Sequence, residues 1–229
     1  MENTVELIGY YGGDESIAQS AWTSTNRDLT DERKKRIPDL LVNKLRDADT
    51  GHLHTSPFEK AVIHFLVTSD VATHIHFLKH RIGVSINGES ARYKELKDDK
   101  MYVPEDWPAG WQSKLEEFNQ FAASMYHRAL AELTPVIGRK RAKESARYFL
   151  PYSNQLTADV MFHFNTFMHF VELRYSEHAQ REVRVLALEM LKLVFATGAF
   201  TSALEAYGWA LQADGEPVKV STWQLVKLK

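Results

Sequence analysis

The hydrophobic positions along residues 112–133 recur with the period of an α-helix, more regularly than anywhere else in the chain. One face of this stretch is apolar and the other polar, which predicts an amphipathic helix. Pro135 and Gly138 follow the stretch and predict its end. The apolar face consists of Leu115, Phe118, Ala122, Met125, Ala129 and Leu133.

A second long helix is predicted after Ser176, with Ser176 as its N-cap and four apolar positions facing inward. Those positions are Val183, Leu186, Met190 and Val194. Shorter helices are predicted from capping residues and apolar spacing. They are Ser16–Trp22, a segment capped by Thr30, a segment opened by Pro38, a segment from Asp70 to Leu78, Arg139–Tyr148, a segment ending at Arg174, and Thr201–Leu211.

Three stretches rich in β-branched and aromatic residues predict strands, at Thr4–Tyr11, Ala61–Thr68 and Thr157–Phe164. The connections between them are uneven, so regular βαβ winding is not supported. We therefore expect a single α+β domain over residues 1–229 that is mostly helical and contains a small sheet. No structure is predicted for residues 215–229.

The composition is that of an ordinary globular protein, with 44% hydrophobic and 25% charged residues. A net charge of -2 argues against a nucleic-acid partner, because such binders usually carry a basic excess. The chain contains no cysteine, which excludes disulfides, thiolate metal sites and a cysteine nucleophile. No apolar run approaches the ~20 residues of a membrane span, and the N-terminal residues lack a signal-peptide pattern. We expect a cytoplasmic protein with no membrane partner.

The segment Leu78–Tyr93, LKHRIGVSINGESARY, carries an unusual density of donors. Lys79, His80 and Arg81 precede a small polar run, and Arg92 follows it. A hydroxyl, backbone N–H groups and an arginine together suit a phosphate, so the segment predicts an anion site. The alternative is a helix end whose basic residues complement the helix dipole, followed by a polar hairpin. Spacing alone leaves both interpretations open.

Other common chemistries find no support in the sequence. There is neither an H-E-x-x-H zinc motif nor a glycine-rich phosphate loop, so we expect no metal site and no P-loop. Arg147 and Arg174 each lie at the end of a predicted helix. Arginines in such places can converge on an anionic ligand, although Glu172 or Glu177 could pair with either of them.

The donor segment resembles the signature of the flavin-dependent thymidylate synthases, the ThyX family. The resemblance lies in His80-Arg81, Ser85-x-Asn87 and Ser90-x-Arg92-Tyr93. Three further blocks in the same order also resemble the family and extend the match over roughly residues 50–195. They are His54-x-Ser56-Pro57-Phe58-Glu59, Ala146-Arg147-x-x-Leu150-Pro151, and His169-Phe170-x-x-Leu173-Arg174-x-x-x-His178-Ala179-Gln180.

This resemblance implies a methyltransferase that makes dTMP from dUMP. Methylenetetrahydrofolate would donate the carbon, and FAD would pass on the hydride that it accepts from NADPH. It also implies a mainly antiparallel sheet and a homotetramer with active sites between subunits. Two alternatives are kept: a related flavoenzyme with another one-carbon outcome on a pyrimidine nucleotide, such as hydroxymethylation, and a non-catalytic nucleotide-binding protein.

The resemblance also assigns roles by position. The residues expected to meet FAD are Ser56, Glu59, Lys79, His80, Arg81, Glu89, His163, Asn165, His169 and His178, with Lys79, His80 and Arg81 facing its phosphates. The residues expected to meet dUMP are His76, Lys79, Gly88, Glu89, Ser90, Ala91, Arg92, Arg147 and Arg174. Of these, Arg174 is expected to be catalytic, by stabilising charge on the uracil ring.

The chain departs from the family pattern at three places. Lys79 replaces an arginine, which keeps the charge but loses the bidentate fork. Eight residues instead of seven separate Arg81 from Ser90, which leaves open whether Gly88 or Glu89 stands for the family's nucleotide-contacting glutamate. His163-x-Asn165 replaces an N-x-R element, so one cation expected near the flavin is missing.

Overall fold

A computed structural model describes residues 2–90 and 95–220 of the 229-residue chain. In chain order, its α-helices are α1 (Asp14–Ala21), α2 (Asp31–Lys34), α3 (Ile37–Asp39), α4 (Val71–Phe77), α5 (Ala109–Ile137), α6 (Arg139–Ala146), α7 (Phe164–Arg174), α8 (Arg181–Ala196) and α9 (Thr201–Ala206). The strands are β1 (Thr4–Tyr11), β2 (Val62–Asp70), β3 (Val84–Gly88), β4 (Gln155–His163), β5 (Trp209–Leu211) and β6 (Pro217–Lys219). Short 3-10 turns occupy Trp22–Ser24, Ser56–Lys60 and Arg147–Phe149, and Leu40–Lys44 forms a π-helical turn.

The strands β1 to β4 form a four-stranded sheet in the order β1-β2-β4-β3, and β5 pairs antiparallel with β6. The predicted fold class, a mostly helical α+β domain with a small antiparallel sheet, is confirmed. β1 has the predicted bounds, and β2 and β4 lie within two residues of the predicted positions. β3 was not predicted. Within the described residues, no helix is both long and apolar enough to cross a membrane.

The chain forms two compact units, of which the first comprises residues 1–4, 67–79 and 86–159. Helices α5 and α6 build its core, where Tyr126 and Leu130 pack with Ala142 and Ala146. The Tyr126 hydroxyl also accepts a hydrogen bond from the Leu96 amide at 3.1 Å. This contact holds Leu96 against α5.

The predictions for the start of α4 and the end of α5, both in the first unit, had different outcomes. Asp70 caps α4 as predicted, because its Oδ1 accepts the Thr73 amide at 2.9 Å. Of the two residues predicted to end α5, Pro135 does not end it, since the helix continues to Ile137. Proline removes one helical N–H, a loss this solvent-exposed last turn tolerates. The helix ends at Gly138, the second predicted residue, which has φ 81° and whose amide donates to the Thr134 carbonyl at 3.0 Å.

The second unit comprises residues 5–66, 80–85 and 160–229, of which the structure describes those up to residue 220. Aromatic rings fill its core, as in the stacked pair Phe164 and Phe200 with centroids 5.1 Å apart. The Asp14 carboxylate accepts the amides of Ser202 at 2.7 Å and Ala203 at 2.9 Å. A distant side chain thereby satisfies the N–H groups that the start of α9 leaves unpaired.

Two helix predictions in the second unit were wrong at their ends. Gln180, not Ser176, precedes α8, although the four predicted inward positions are all buried. The predicted helix Thr201–Leu211 stops at Ala206. Gly208 has φ 79°, and a Cβ there would lie 2.7 Å from the Val220 carbonyl. This turn redirects the chain into β5, so the glycine, not the apolar pattern, decides the helix end.

Candidate active site

Gly83 shapes the turn after Arg81 in the second unit. Its φ is +68°, and its carbonyl accepts the His163 amide at 2.8 Å at the start of α7. A Cβ at this position would lie 2.4 Å from Thr166 Oγ1 and 3.0 Å from His163 Nδ1. Only glycine lets the turn approach α7 this closely, so Gly83 sets how His80 and Arg81 are presented.

Substituting Gly83 with alanine should therefore destabilise the protein. The left-handed backbone costs roughly 1–2 kcal/mol for a residue with a Cβ, and the overlap with Thr166 adds to it. Thermal unfolding should report a loss of about 2 kcal/mol or more, or about 4–8 °C in Tm.

The matched control for this substitution is Gly51→Ala. Gly51 has φ +69°, but a methyl group added there would meet nothing within 4 Å among the described residues. This control should lose only the backbone contribution. Adding Thr166→Ala to Gly83→Ala should recover part of the stability. Equal losses in the two single variants would show that the approach to α7 does not restrict position 83.

His80 and Arg174 meet in the second unit. The Arg174 Nε donates to His80 Nε2 at 3.1 Å. His80 is only 8% exposed, and its ring lies edge-on to Phe170 at 5.0 Å and to His169 at 6.3 Å. Burial lowers the pKa of the Arg174 guanidinium from its usual value, but an arginine remains charged in proteins. His80 is thus a buried acceptor beside the predicted catalytic arginine, whereas Arg81 is exposed.

Glu59, Asn165 and Tyr207 form a second polar contact in this unit. Tyr207 Oη donates to Asn165 Oδ1 at 2.8 Å, and Asn165 Nδ2 lies 3.4 Å from Glu59 Oε1. Burial raises the pKa of the Tyr207 phenol, and the charges of Glu172 and Glu59 add to this effect. The phenol therefore acts as a neutral donor that orients the Asn165 amide. The sequence did not predict a role for Tyr207, because this residue lies outside the blocks that resemble the family signature.

The other residues of the second unit that were predicted to contact FAD are exposed or half-buried. Ser56 Oγ is 3.2 Å from His54 Nε2. His169 and His178 are exposed, and His163 is half-buried next to Gly83. The second unit thus brings together His80, Arg174 and His169 in one group and Glu59 with Asn165 in another.

A cavity of about 360 Å³ in the first unit is lined by three residues that were predicted to bind dUMP, namely Glu89, Ser90 and Arg147. Arg147 Nε donates to the Glu144 carbonyl at 3.1 Å, which fixes the base of the guanidinium. Sequence reasoning missed the mainly apolar remainder of the lining, namely Val71, Ile75, Leu96, Leu150, Pro151, Tyr152, Asn154 and Leu156.

The carboxylate at the edge of this cavity belongs to Glu89. The Glu89 amide donates to the Thr157 carbonyl at 2.8 Å, and the Thr157 amide lies 3.4 Å from Glu89 Oε2. Gly88 lies at the end of β3, and a Cβ there would meet His74 at 3.7 Å in an ordinary contact. Gly88 cannot supply a carboxylate, so Glu89 alone of the two can replace a glutamate side chain.

Two further predicted residues, His76 and Lys79, lie on or just after α4 in the first unit, and two others lie outside the residues that the structure describes. His76 is half-buried on α4, and Lys79 is exposed just beyond it. The neighbouring His74 has a buried Nδ1 without a hydrogen-bond partner, and burial lowers its pKa. Ala91 and Arg92 lie outside the described residues.

A larger cavity of about 540 Å³ in the first unit has the wrong charge for an anion. Asp99 and Glu116 both line it, and His127 Nε2 lies 2.7 Å from Asp99 Oδ1. Two carboxylates disfavour a phosphate, so the smaller cavity with Arg147 is the better nucleotide candidate despite its size. Over residues 2–90 and 95–220, no group of three or more His, Asp or Glu side chains is arranged to hold a metal ion.

Comparison with known proteins identifies the family. Residues 6–197 match the family described as "Thymidylate synthase complementing protein". The chain is 28% identical over 193 residues to a flavin-dependent thymidylate synthase of Pseudothermotoga lettingae, covering 82% of this chain and 83% of the relative. It is 31% identical over 184 residues to that of Mycobacterium tuberculosis, covering 76% and 72%.

A solved structure also resembles the fold. It is a UMP/dUMP methylase, PolB from Streptomyces cacaoi bound with 5-Br dUMP, with a TM-score of 0.69 and 26% identity. The similarity covers 90% of this chain and 94% of the other. Together with the family match over residues 6–197, these similarities agree with the four signature blocks of the sequence. The chain therefore belongs to the flavin-dependent thymidylate synthase family.

Proposed function

We propose that the chain is a flavin-dependent thymidylate synthase that converts dUMP into dTMP. Methylenetetrahydrofolate is the carbon donor, and NADPH is the reductant through FAD. Family membership confirms the predicted class, a methyltransferase enzyme. The observation that carries the proposal is the 360 Å³ cavity whose lining includes both Ser90 and Arg147, because it offers a hydroxyl and a guanidinium beside apolar walls. Residues 1–229 act as one functional domain.

The cavity suits the parts of a nucleotide. Its volume lies in the range of about 300–1,000 Å³ that is typical of small-molecule sites. Arg147 and Ser90 hold the phosphate by charge-assisted hydrogen bonds. Ile75, Leu150 and Pro151 offer apolar surface to the sugar and base. Separately from this cavity, we propose that Arg174 stabilises the negative charge that develops on the uracil ring during the reaction.

The second unit offers donors that fit a flavin dinucleotide. Arg81 is exposed, and no carboxylate in the described part of the chain pairs with it, so its guanidinium is available for a phosphate. Asn165, oriented by Tyr207, offers an amide to the cofactor's polar edge. FAD, when bound, supplies hydride transfer from NADPH. Lys79, an exposed cation of the first unit just beyond α4, is proposed separately as a phosphate partner.

Arg81→Ala should weaken flavin retention, because it removes one charged donor to the diphosphate. A hydrogen bond to a charged group contributes about 1.5–3 kcal/mol, so the Kd for FAD should rise about 10- to 100-fold. Flavin absorbance after dialysis measures this effect. Arg36→Ala, at an exposed arginine of the same unit, should keep its flavin. Unchanged flavin content in Arg81→Ala would favour the helix-end interpretation.

We also propose that the protein is a homotetramer with active sites between subunits. Helix α5 of the first unit exposes large aromatic side chains, with Trp111 60%, Phe118 53% and Phe121 62% exposed. Such apolar patches mark interaction surfaces more often than free ones. Light scattering should give four times the chain mass of 26.3 kDa. A monomer at working concentration would refute this part of the proposal.

Purified protein should be yellow, and the product formed from dUMP should have the mass of dTMP. A hydroxymethylated product would identify the alternative flavoenzyme, and dUMP binding without turnover would identify a non-catalytic protein. UMP is a second candidate substrate, because the solved neighbour is named a UMP/dUMP methylase and was also seen with 5-Br UMP. Competition between dUMP and UMP in one reaction would show which nucleotide is the preferred substrate.

Colourless protein that fails to bind added FAD would refute the proposal that the chain is a flavin-dependent enzyme.

A further inference from the structure

We propose that His80 is a positioning residue for Arg174, holding the guanidinium in the orientation that acts on the uracil ring. The inference rests on the proposed function, in which Arg174 contacts the substrate. It gives His80 a role different from that of the exposed Arg81 next to it in the sequence.

The direction of the hydrogen bond fixes the state of His80. Arg174 Nε lies 3.1 Å from His80 Nε2, and arginine has donors but no acceptor. His80 Nε2 must therefore accept, which leaves the ring proton on Nδ1 and the imidazole neutral in this contact. A neutral, buried acceptor is suited to aligning a cation and unsuited to binding a phosphate.

His80 is itself held in place by the helix that carries Arg174. Phe170 and Arg174 are four residues apart on α7 and so share one face of the helix. The Phe170 ring meets His80 edge-on at 5.0 Å with an interplanar angle of 71°. The imidazole is 8% exposed, so it has little freedom to turn away. The aromatic contact orients the ring, and the ring orients the guanidinium.

The bond also engages one defined edge of the Arg174 guanidinium. A guanidinium is planar and has five N–H donors, one on Nε and four on the two terminal nitrogens. His80 accepts from the Nε of Arg174, so the orientation of the guanidinium plane is set by a protein side chain before the substrate binds. Orientation fixed before the substrate binds is a recognised source of catalytic efficiency, because a displacement of about 1 Å can lower a rate 10²-fold.

The test compares two substitutions of His80 in the full-length, flavin-loaded protein. His80→Phe keeps an aromatic ring but removes the acceptor, and kcat should fall about 10- to 100-fold. His80→Gln can place its amide oxygen close to the position of Nε2 and should recover most of that loss. The KM for dUMP should change less than kcat, and the flavin absorbance should be retained. Equal losses in both variants, or loss of flavin instead of kcat, would overturn the proposal.

A double-mutant cycle separates positioning from simple packing. In an Arg174→Ala background, His80→Phe should have no further effect on kcat, because the group it orients is gone. If His80→Phe lowers kcat by the same factor with or without Arg174, His80 does not act through Arg174.

Crystal structures provide a readout that does not depend on activity. Arg174 Nε should lie against residue 80 in the wild type and in His80→Gln, and it should turn away in His80→Phe. An unchanged guanidinium in His80→Phe would refute positioning. Wild-type protein that makes no product would instead refute the proposed function, and with it any role of this contact in turnover.

Discussion

Replacing Arg174 with alanine should lower the turnover of dUMP about 10²- to 10³-fold while the flavin remains bound. Arg174 is a half-buried cation at the end of α7, and burial strengthens its interaction with charge that develops on a ligand. Because this interaction grows in the transition state, the loss should fall on kcat more than on the KM for dUMP. Steady-state kinetics together with the flavin spectrum measures both effects.

Two further variants sharpen this prediction. Arg174→Lys keeps the charge but loses the planar fork, so it should recover only part of the activity. Arg184→Ala, at an arginine of α8 with no assigned role, should retain turnover. Near-normal turnover in Arg174→Ala would refute the catalytic assignment, and flavin-free Arg174→Ala would point to a structural role instead.

Replacing Arg147 with alanine should weaken dUMP binding about 10- to 100-fold, since the cavity loses its guanidinium. The cavity holds the nucleotide in the ground state and the transition state alike, so kcat at saturating dUMP should change little. Calorimetric titration with dUMP measures the affinity directly.

Deoxyuridine, which lacks the phosphate, should bind wild type and Arg147→Ala equally. Arg141→Ala serves as the matched control, because Arg141 is exposed on the neighbouring α6 and pairs with Glu144 at 3.4 Å. An Arg147→Ala variant that binds dUMP normally, or loses deoxyuridine affinity to the same degree, would show that Arg147 does not hold the phosphate.

The sequence predicted the fold wherever the local pattern and the tertiary environment agree. Helix α5 follows its apolar period, and α4 begins at Asp70 because that side chain caps it. The predictions failed where a single residue or a distant partner decides. Gly208 ends α9 through a turn that only glycine can form. β3 alternates apolar and polar residues over only five positions, Val84–Gly88, which is a short signal inside a segment that was interpreted as an anion site.

The candidate site was likewise predicted in part from the sequence. The signature blocks predicted that Ser90 and Arg147 belong to one ligand, and the structure places both around one cavity. Spacing along the chain could not reveal the apolar walls of that cavity, because they come from α4, β4, Leu96 and the segment between α6 and β4. The contact between His80 and Arg174, 94 residues apart, depends on how the turn at Gly83 packs on α7. Tyr207 carries no local signal that would link it to Asn165.

The most direct test of the proposed function is tritium release from dUMP labelled at C5 of the uracil ring. With FAD, NADPH and methylenetetrahydrofolate present, the wild-type protein should release tritium in step with the formation of dTMP. Omission of any one of the three, or the Arg174→Ala substitution, should lower the release sharply. Flavin-loaded wild-type protein that binds dUMP and yet releases no tritium would contradict the assignment as a thymidylate synthase.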